Sequence, residues 1–263
     1  MSRNFELLQQ IGKEHDIFSS AAPAPAVEPE MPVETPGAAV SAVSAESATA
    51  PIALEKAGIE EVVTLVQRVF LLPGGQSPHV VVFAGTEGGN GCSWICARTA
   101  EALAAQVTGS VCLVDANLRA PGLHHQFDIP NHNGLSDALL RNEPMPAFVT
   151  ALGRRNLSLV SCGGSAEAAQ SLLTSNRMRS RLRELRSMFD YVLVDTSAMN
   201  ASNDAIVLGA VSDGAILVLK ANSSRKETAR NALRDFQTAN VRIFGAVLNQ
   251  RTFPIPEAIY NKL

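Results

Sequence analysis

HVVVFAGTEGGNGCSW, residues 79–94, joins an apolar run to a segment holding Gly85, Gly88, Gly89 and Gly91. An alanine-rich segment compatible with a helix follows from Ile95 to Gln106. Strand, glycine loop and helix in that order form a phosphate-binding layout. Glycines let backbone N–H groups curl around a phosphate, and the following helix aims its positive N-terminal end at it. Such a loop ordinarily ends Gly-Lys-Ser/Thr, whereas this one ends Gly91-Cys92-Ser93. The loop predicts a phosphate cradle built from Gly88, Gly89, Asn90, Gly91, Cys92, Ser93 and Trp94, without its lysine.

Outward from the loop, strand and helix patterns alternate. Val80–Ala84, 110–115 (SVCLVD), Leu157–Cys162, Tyr191–Asp195, Ala215–Lys220 and Phe244–Asn249 are apolar runs with little alternation. This is the pattern of strands buried on both faces of a parallel sheet. The intervening stretches 94–106, 134–140, 176–189, 204–211 and 225–238 read as helices. Ser175 or Asn176 is positioned to cap the third. Strands separated by helices predict an α/β fold, a doubly wound, mostly parallel sheet flanked by helices. Ligands of such sheets sit at the carboxyl ends of strands. The glycine loop, Asp115, Asp195 and Asn249 all fall there.

Upstream, Ile59, Val62, Val63, Val66, Val69 and Phe70 recur at helical spacing between Leu54 and Leu72, and Pro73-Gly74-Gly75 ends the pattern. Residues 19–53 are dominated by Ala, Pro, Ser and Glu, with no aromatic and no basic residue, and predict a disordered linker. Residues 1–18 predict a short amphipathic helix carrying Phe5, Leu7, Leu8 and Ile11. The expected organisation is a helix over 1–18, a linker over 19–53, the α/β domain over 54–250 and a tail over 251–263.

Composition narrows the function classes. The 263 residues are 46% hydrophobic and 18% charged, with a net charge of −3. That charge gives no general reason to expect nucleic-acid or anionic-membrane binding. No apolar run approaches the length of a transmembrane segment, and the N-terminus lacks the apolar region of a signal peptide. The expected location is cytoplasmic. Cys92, Cys96, Cys112 and Cys162 then read as free thiols, and no Cys-x-x-Cys pair suggests zinc.

Phosphoryl transfer needs a phosphate cradle, a lysine, a hydroxyl and carboxylates for Mg²⁺, and a group that orients the nucleophile. Ser93 stands where the Mg²⁺ hydroxyl belongs. Asp115 and Asp195 each end an apolar strand beside the loop and are the candidate metal and catalytic carboxylates. Cys92 brings no positive charge, and Trp94 reads as a packing residue. His124, His125 and His132 cluster after Asp115, but their spacing suits no common metal site, so they read as solvated loop histidines.

The stretch VCLVDANLRAPGLHHQFDIPNHNGLSDALL, residues 111–140, resembles the second nucleotide motif of bacterial tyrosine kinases (BY-kinases), which are P-loop proteins related to the MinD/ParA ATPases. FDYVLVDTS (189–197) resembles their Walker B segment, and residues 212–233 and 243–250 resemble their final strands. The resemblance implies ATP and Mg²⁺ as cofactors and a role in exopolysaccharide or capsule synthesis beside a membrane polysaccharide co-polymerase. It implies phosphate binding by Gly88–Ser93, Mg²⁺ and catalytic duties for Ser93, Asp115 and Asp195, and contact of Asn249 with the base. It also implies rings and a C-terminal tyrosine cluster.

The sequence departs from that pattern at several points. Cys92 replaces the lysine, Glu87 occupies the place of a second signature lysine, and Asn117 replaces an aspartate. Thr64 and Gln67 stand where the ring motif has arginines, and Tyr260 is a lone tail tyrosine. The expected protein is a degenerate BY-kinase-like regulator with little or no phosphoryl transfer. It would partner a membrane polysaccharide co-polymerase or an active paralogous kinase, reaching the inner face of the membrane only through that partner, with a homodimer left open. One alternative is an active ATP-dependent tyrosine kinase or ATPase that borrows a cation, with Arg119 the candidate. The other is a ParA/MinD-like positioning ATPase, for which the basic helix Arg177–Arg186 is the one supporting feature.

Overall fold

A computed structural model describes the backbone of residues 51–71, 77–153 and 156–250, with side chains of the first segment from Glu60 onward. The expected N-terminal helix, nearly all of the linker and the tail with Tyr260 lie outside the described residues.

Among the described residues, seven strands form one sheet: β1 (Val80–Gly85), β2 (Val111–Asp115), β3 (Thr150–Ala151), β4 (Leu157–Val160), β5 (Tyr191–Asp195), β6 (Gly214–Lys220) and β7 (Ile243–Asn249). Their order is β3-β4-β2-β5-β1-β6-β7. Every pairing is parallel except β3 with β4. The doubly wound, mostly parallel α/β fold is therefore present. β3 is an addition to the expected strands. It is two exposed residues long, too short to carry a hydrophobic pattern.

Helix α1 (Pro51–Val69) opens with proline, whose missing N–H costs nothing in a first turn. It therefore begins three residues before the expected Leu54. Its Val62, Val66 and Val69, with Phe70 just beyond, form a buried stripe. Helix α2 (Cys92–Gln106) packs beside α1 and buries Ile95, Cys96, Ala100 and Leu103. These two helices, with Leu123, cover one face of the sheet through Val81, Phe83, Ile216 and Val218.

The other face is covered by α4 (Leu135–Leu140), α6 (Asn176–Met188), α7 (Asp204–Ala210) and α8 (Lys226–Thr238), packed on Val82, Val114, Val194 and Leu217. Ser175 caps α6 by accepting from the Met178 N–H, as expected. A short helix, α3 (Leu123–Gln126), stands where the sequence read as loop, and another, α5 (Ala166–Ala169), lies in a stretch the sequence pattern left unassigned. Strand burial on both faces explains the apolar runs: β1 and β2 are buried throughout. β7 lies at an edge, and Leu248 is 49% exposed. No helix among the described residues is long and apolar enough to cross a membrane.

Candidate functional site

The parallel sheet brings the carboxyl ends of β1, β2, β5, β6 and β7 to one rim. β1 delivers the glycine loop there, Thr86–Gly91, and α2 begins directly after it at Cys92. Gly89 and Gly91 have φ of 78° and 75°, the left-handed region that glycine enters without penalty. The outer side of Gly88 and Gly89 is open space. Gly91 caps α2 without a side-chain hydrogen bond, and the first turn carries no acidic residue. The first-turn N–H groups of the helix thus lack side-chain acceptors, as a phosphate cradle requires.

The loop is anchored from within. The buried Asn90 donates its amide to Thr86 Oγ1 at 2.9 Å and to the Val218 carbonyl at 3.2 Å. The Thr86 N–H donates to the same carbonyl at 3.3 Å. From outside, Asn249 at the end of β7 donates Nδ2 to the Asn90 carbonyl at 2.8 Å, and its amide fills the space where a side chain on Gly91 would stand. Asn249, which the resemblance assigns to the base, is here a neighbour of the loop itself. The segment after β5 also closes on the loop: Met199 N–H donates to Gly85 O at 2.9 Å and Asn200 N–H to Thr86 O at 3.3 Å.

Asp115 and Asp195 end neighbouring strands in register. Both are fully shielded from solvent. Asp115 accepts backbone N–H groups from Asn117 at 3.2 Å, Gly122 at 3.2 Å and Leu123 at 3.1 Å. Burial raises its pKa to about 6, and those three donors oppose the rise. Among the described residues, neither oxygen of Asp195 has a hydrogen-bond partner. Burial, then repulsion from Asp115, pushes its pKa up to about 8. Ser93 and Cys92 lie near enough to favour its ionised form, but neither reaches hydrogen-bonding geometry.

The Cys92 thiol is pushed well above its ordinary value by burial and then by Asp195. It is a neutral thiol, neither a cation nor a thiolate. Trp94 is half-buried against the α1–α2 side of the core, as a packing residue would be.

The site therefore gathers Gly88, Gly89, Asn90, Gly91, Cys92, Ser93, Asp115, Asp195 and Asn249 on one rim. Its fit to a magnesium-bound nucleotide is uneven. An unpartnered buried carboxylate beside a hydroxyl suits a divalent cation held through Asp195 and Ser93. Open glycines at a helix start suit phosphate. The loop itself supplies no positive charge, and Asp115 already serves its own loop.

Among the described residues no group of three or more His, Cys, Asp or Glu is placed to hold a metal. His125 and His132 are exposed, as expected. His124 is not a freely solvated loop residue: it lies in α3, half-buried, with its ring 3.9 Å from that of His125 and its Nδ1 buried without a partner. Burial, then His125, lowers its pKa.

The family profile described as "Cellulose biosynthesis protein BcsQ" matches residues 79–241. The chain is 33% identical over 145 residues to the tyrosine-protein kinase YwqD of Bacillus subtilis, covering 55% of this chain and 61% of that protein. It is 28% identical over 183 residues to the succinoglycan biosynthesis transport protein ExoP of Rhizobium meliloti, covering 68% of this chain and 23% of ExoP. The chain thus spans about three-fifths of the first relative and under a quarter of the second. The solved kinase domain of Escherichia coli tyrosine kinase ETK superposes with a TM-score of 0.63 at 25% identity, covering 68% of this chain and 70% of that one.

Proposed function

The chain belongs to the family of the cellulose biosynthesis protein BcsQ, among the MinD-like and BY-kinase-like P-loop proteins, and from that premise we propose that it regulates exopolysaccharide synthesis or export with little or no phosphoryl transfer. The observation that carries this reading is the neutral thiol of Cys92, set against the buried, partnerless Asp195.

Transfer of a γ-phosphoryl group spreads negative charge over three oxygens, and positioned cations supply most of the catalysis. Here the loop presents a thiol where a cation is needed. The half-buried Glu87 adds a carboxylate on the same loop. At about 4 Å, one missing charge pair is worth on the order of 4 kcal/mol at intermediate dielectric.

Bound MgATP would bring the divalent cation that polarises its phosphates. In this chain Ser93 and Asp195 would hold that cation, Gly88–Gly91 and the start of α2 would hold phosphate oxygens, and Asp115 would keep the segment after β2 in place. Ring assembly of the BY-kinase kind is disfavoured as well. Thr64 and Gln67 are exposed on α1, and the Thr64 hydroxyl donates to its own helix at the Glu60 carbonyl, 3.0 Å away.

The proposed partner is a membrane polysaccharide co-polymerase or an active paralogous kinase, which would bring the protein to the membrane. The test is steady-state ATP hydrolysis and phosphotyrosine formation by the purified full chain with Mg²⁺. Rates indistinguishable from those of Asp195→Ala support the reading, and clear wild-type turnover overturns it.

A further inference from the structure

The glycine loop lacks a cation of its own, but the strand beside it ends in one. β6 runs Gly214–Lys220, and its Val218 is opposite Gly85, the last residue of β1. Lys220 lies two residues further, roughly 6.6 Å along the strand, at the level of the glycine loop.

Two independent observations set the direction of its side chain. Alternation along β6 sends Ala215, Leu217 and Leu219 to the α6–α8 face and Ile216 and Val218 to the α1–α2 face. Lys220 falls with the second set, on the face over which the loop turns into α2. Its register partner on β7 is Asn249, whose amide donates to the Asn90 carbonyl of the loop. Register partners on parallel neighbours share a face about 4.8 Å apart. Lys220 therefore stands between the glycine loop on β1 and its latch on β7.

The turn after Lys220 holds it there. The Lys220 N–H donates to Ser224 Oγ at 3.0 Å, the Ser224 N–H returns to the Lys220 carbonyl at 2.9 Å, and Ser224 Oγ lies 3.5 Å from Thr86 Oγ1 on the loop. The Ala221 N–H donates to the Asn249 carbonyl at 2.8 Å. The side chain is half-buried, and no carboxylate among the described residues pairs with its ammonium. By contrast Arg119, the cation the sequence suggested, is exposed on the segment after β2.

We propose that Lys220 is the cation of this phosphate cradle, so that the site binds a di- or triphosphate group through Gly88–Gly91 and the start of α2 with its charge met from β6 instead of from the loop. This rests on the reading of the loop as a phosphate cradle and deepens it. A lysine at the rim of the sheet can neutralise ground-state charge. It does not ride on the loop beside the transferred group, so binding without transfer is its natural consequence.

The test is isothermal titration of the full chain with MgATP, MgADP and inorganic pyrophosphate. Wild type, Lys220→Ala, Lys220→Arg and Arg119→Ala are compared, with thermal melts to confirm folding. Wild type is expected to show saturable binding of all three. Lys220→Ala is expected to weaken it on the order of tenfold to a hundredfold, the worth of a charge-assisted contact. Lys220→Arg should retain most of it, and Arg119→Ala should match wild type. No binding by wild type, no loss in a folded Lys220→Ala, or a loss confined to Arg119→Ala each overturns the proposal. The regulatory reading fails separately, through wild-type phosphotyrosine formation, whatever Lys220 does.

Discussion

Asp115 and Asp195 face each other across β2 and β5 in direct register, yet only Asp115 is hydrogen-bonded. Two carboxylates on adjacent strand ends cannot both ionise cheaply in a dry site. The structure eases that conflict by directing the N–H groups of Asn117, Gly122 and Leu123 to Asp115, whose pKa is raised to about 6, while burial and the Asp115 charge push that of Asp195 up to about 8. Asp195 is left as the group that a ligand would satisfy.

This asymmetry makes stability depend on pH. Both groups titrate higher in the folded chain than in the unfolded chain, where an aspartate titrates at about 3.9. Between the two limits the folded state binds more protons, so stability falls as pH rises. Full stability from this pair is present below about pH 4 and is lost as pH climbs to about 8. Asp195→Asn should flatten that part of the profile and raise stability at pH 8 by several kcal/mol at most. Urea melts at pH 5 and pH 8 check it. An equal pH dependence in the variant would contradict it.

Asp213 gives the opposite dependence. Burial raises its pKa, but the N–H of Val80, the Arg186 guanidinium and the N–H of His79 together hold it below the ordinary carboxylate value. Its contribution is present above about pH 4 and lost as pH falls through its depressed folded value. Asp213→Ala should cost roughly 1–3 kcal/mol at pH 7 by stranding the part-buried Val80 N–H that starts β1 and by losing the Arg186 pair. That cost should shrink in acid.

The strands were readable as strands because burial on both faces leaves no polar positions in them. The rim was readable because an apolar run that stops at Asp, Lys or Asn marks where burial ends. What the one-dimensional pattern lacked was pairing. That Asn249 reaches Asn90, and that Lys220 lies beside it, depends on β7 aligning with β6. Lys220 read only as the polar end of AILVLK, although the alternation of Ile216 and Val218 carried the signal. The unequal fates of Asp115 and Asp195 depend on where the Gly122-Leu123 backbone turns, which no residue type announces. α3 and β3 escaped notice because four and two residues are too few to show a period.

Gly91 and Asn249 are mutually fitted. Gly91→Ala forces a left-handed φ on a residue with a Cβ, at about 1–2 kcal/mol, and drives that Cβ into the Asn249 amide. Asn249→Ala alone should cost on the order of 1 kcal/mol. The double variant should cost less than the sum, since the collision is gone. Thermal melts of the three variants measure the coupling, and simple additivity would show that the two residues do not meet.

Cys92→Lys should place an ammonium against Asp195. It is expected to tighten MgATP binding at least tenfold, given the worth of a charge-assisted contact. It should also lower the pKa of Asp195 and weaken the pH dependence described above. If the variant folds and binds no better, the missing lysine is not what limits the site.

Autophosphorylation is the most direct measurement. Purified full chain is incubated with Mg²⁺ and γ-labelled ATP beside Asp195→Ala, and phosphotyrosine is quantified over time. The expected result is no incorporation above the Asp195→Ala background, even at nucleotide concentrations that saturate binding. Time-dependent incorporation by wild type, abolished in Asp195→Ala, would contradict a protein that has kept the phosphate cradle and given up phosphoryl transfer.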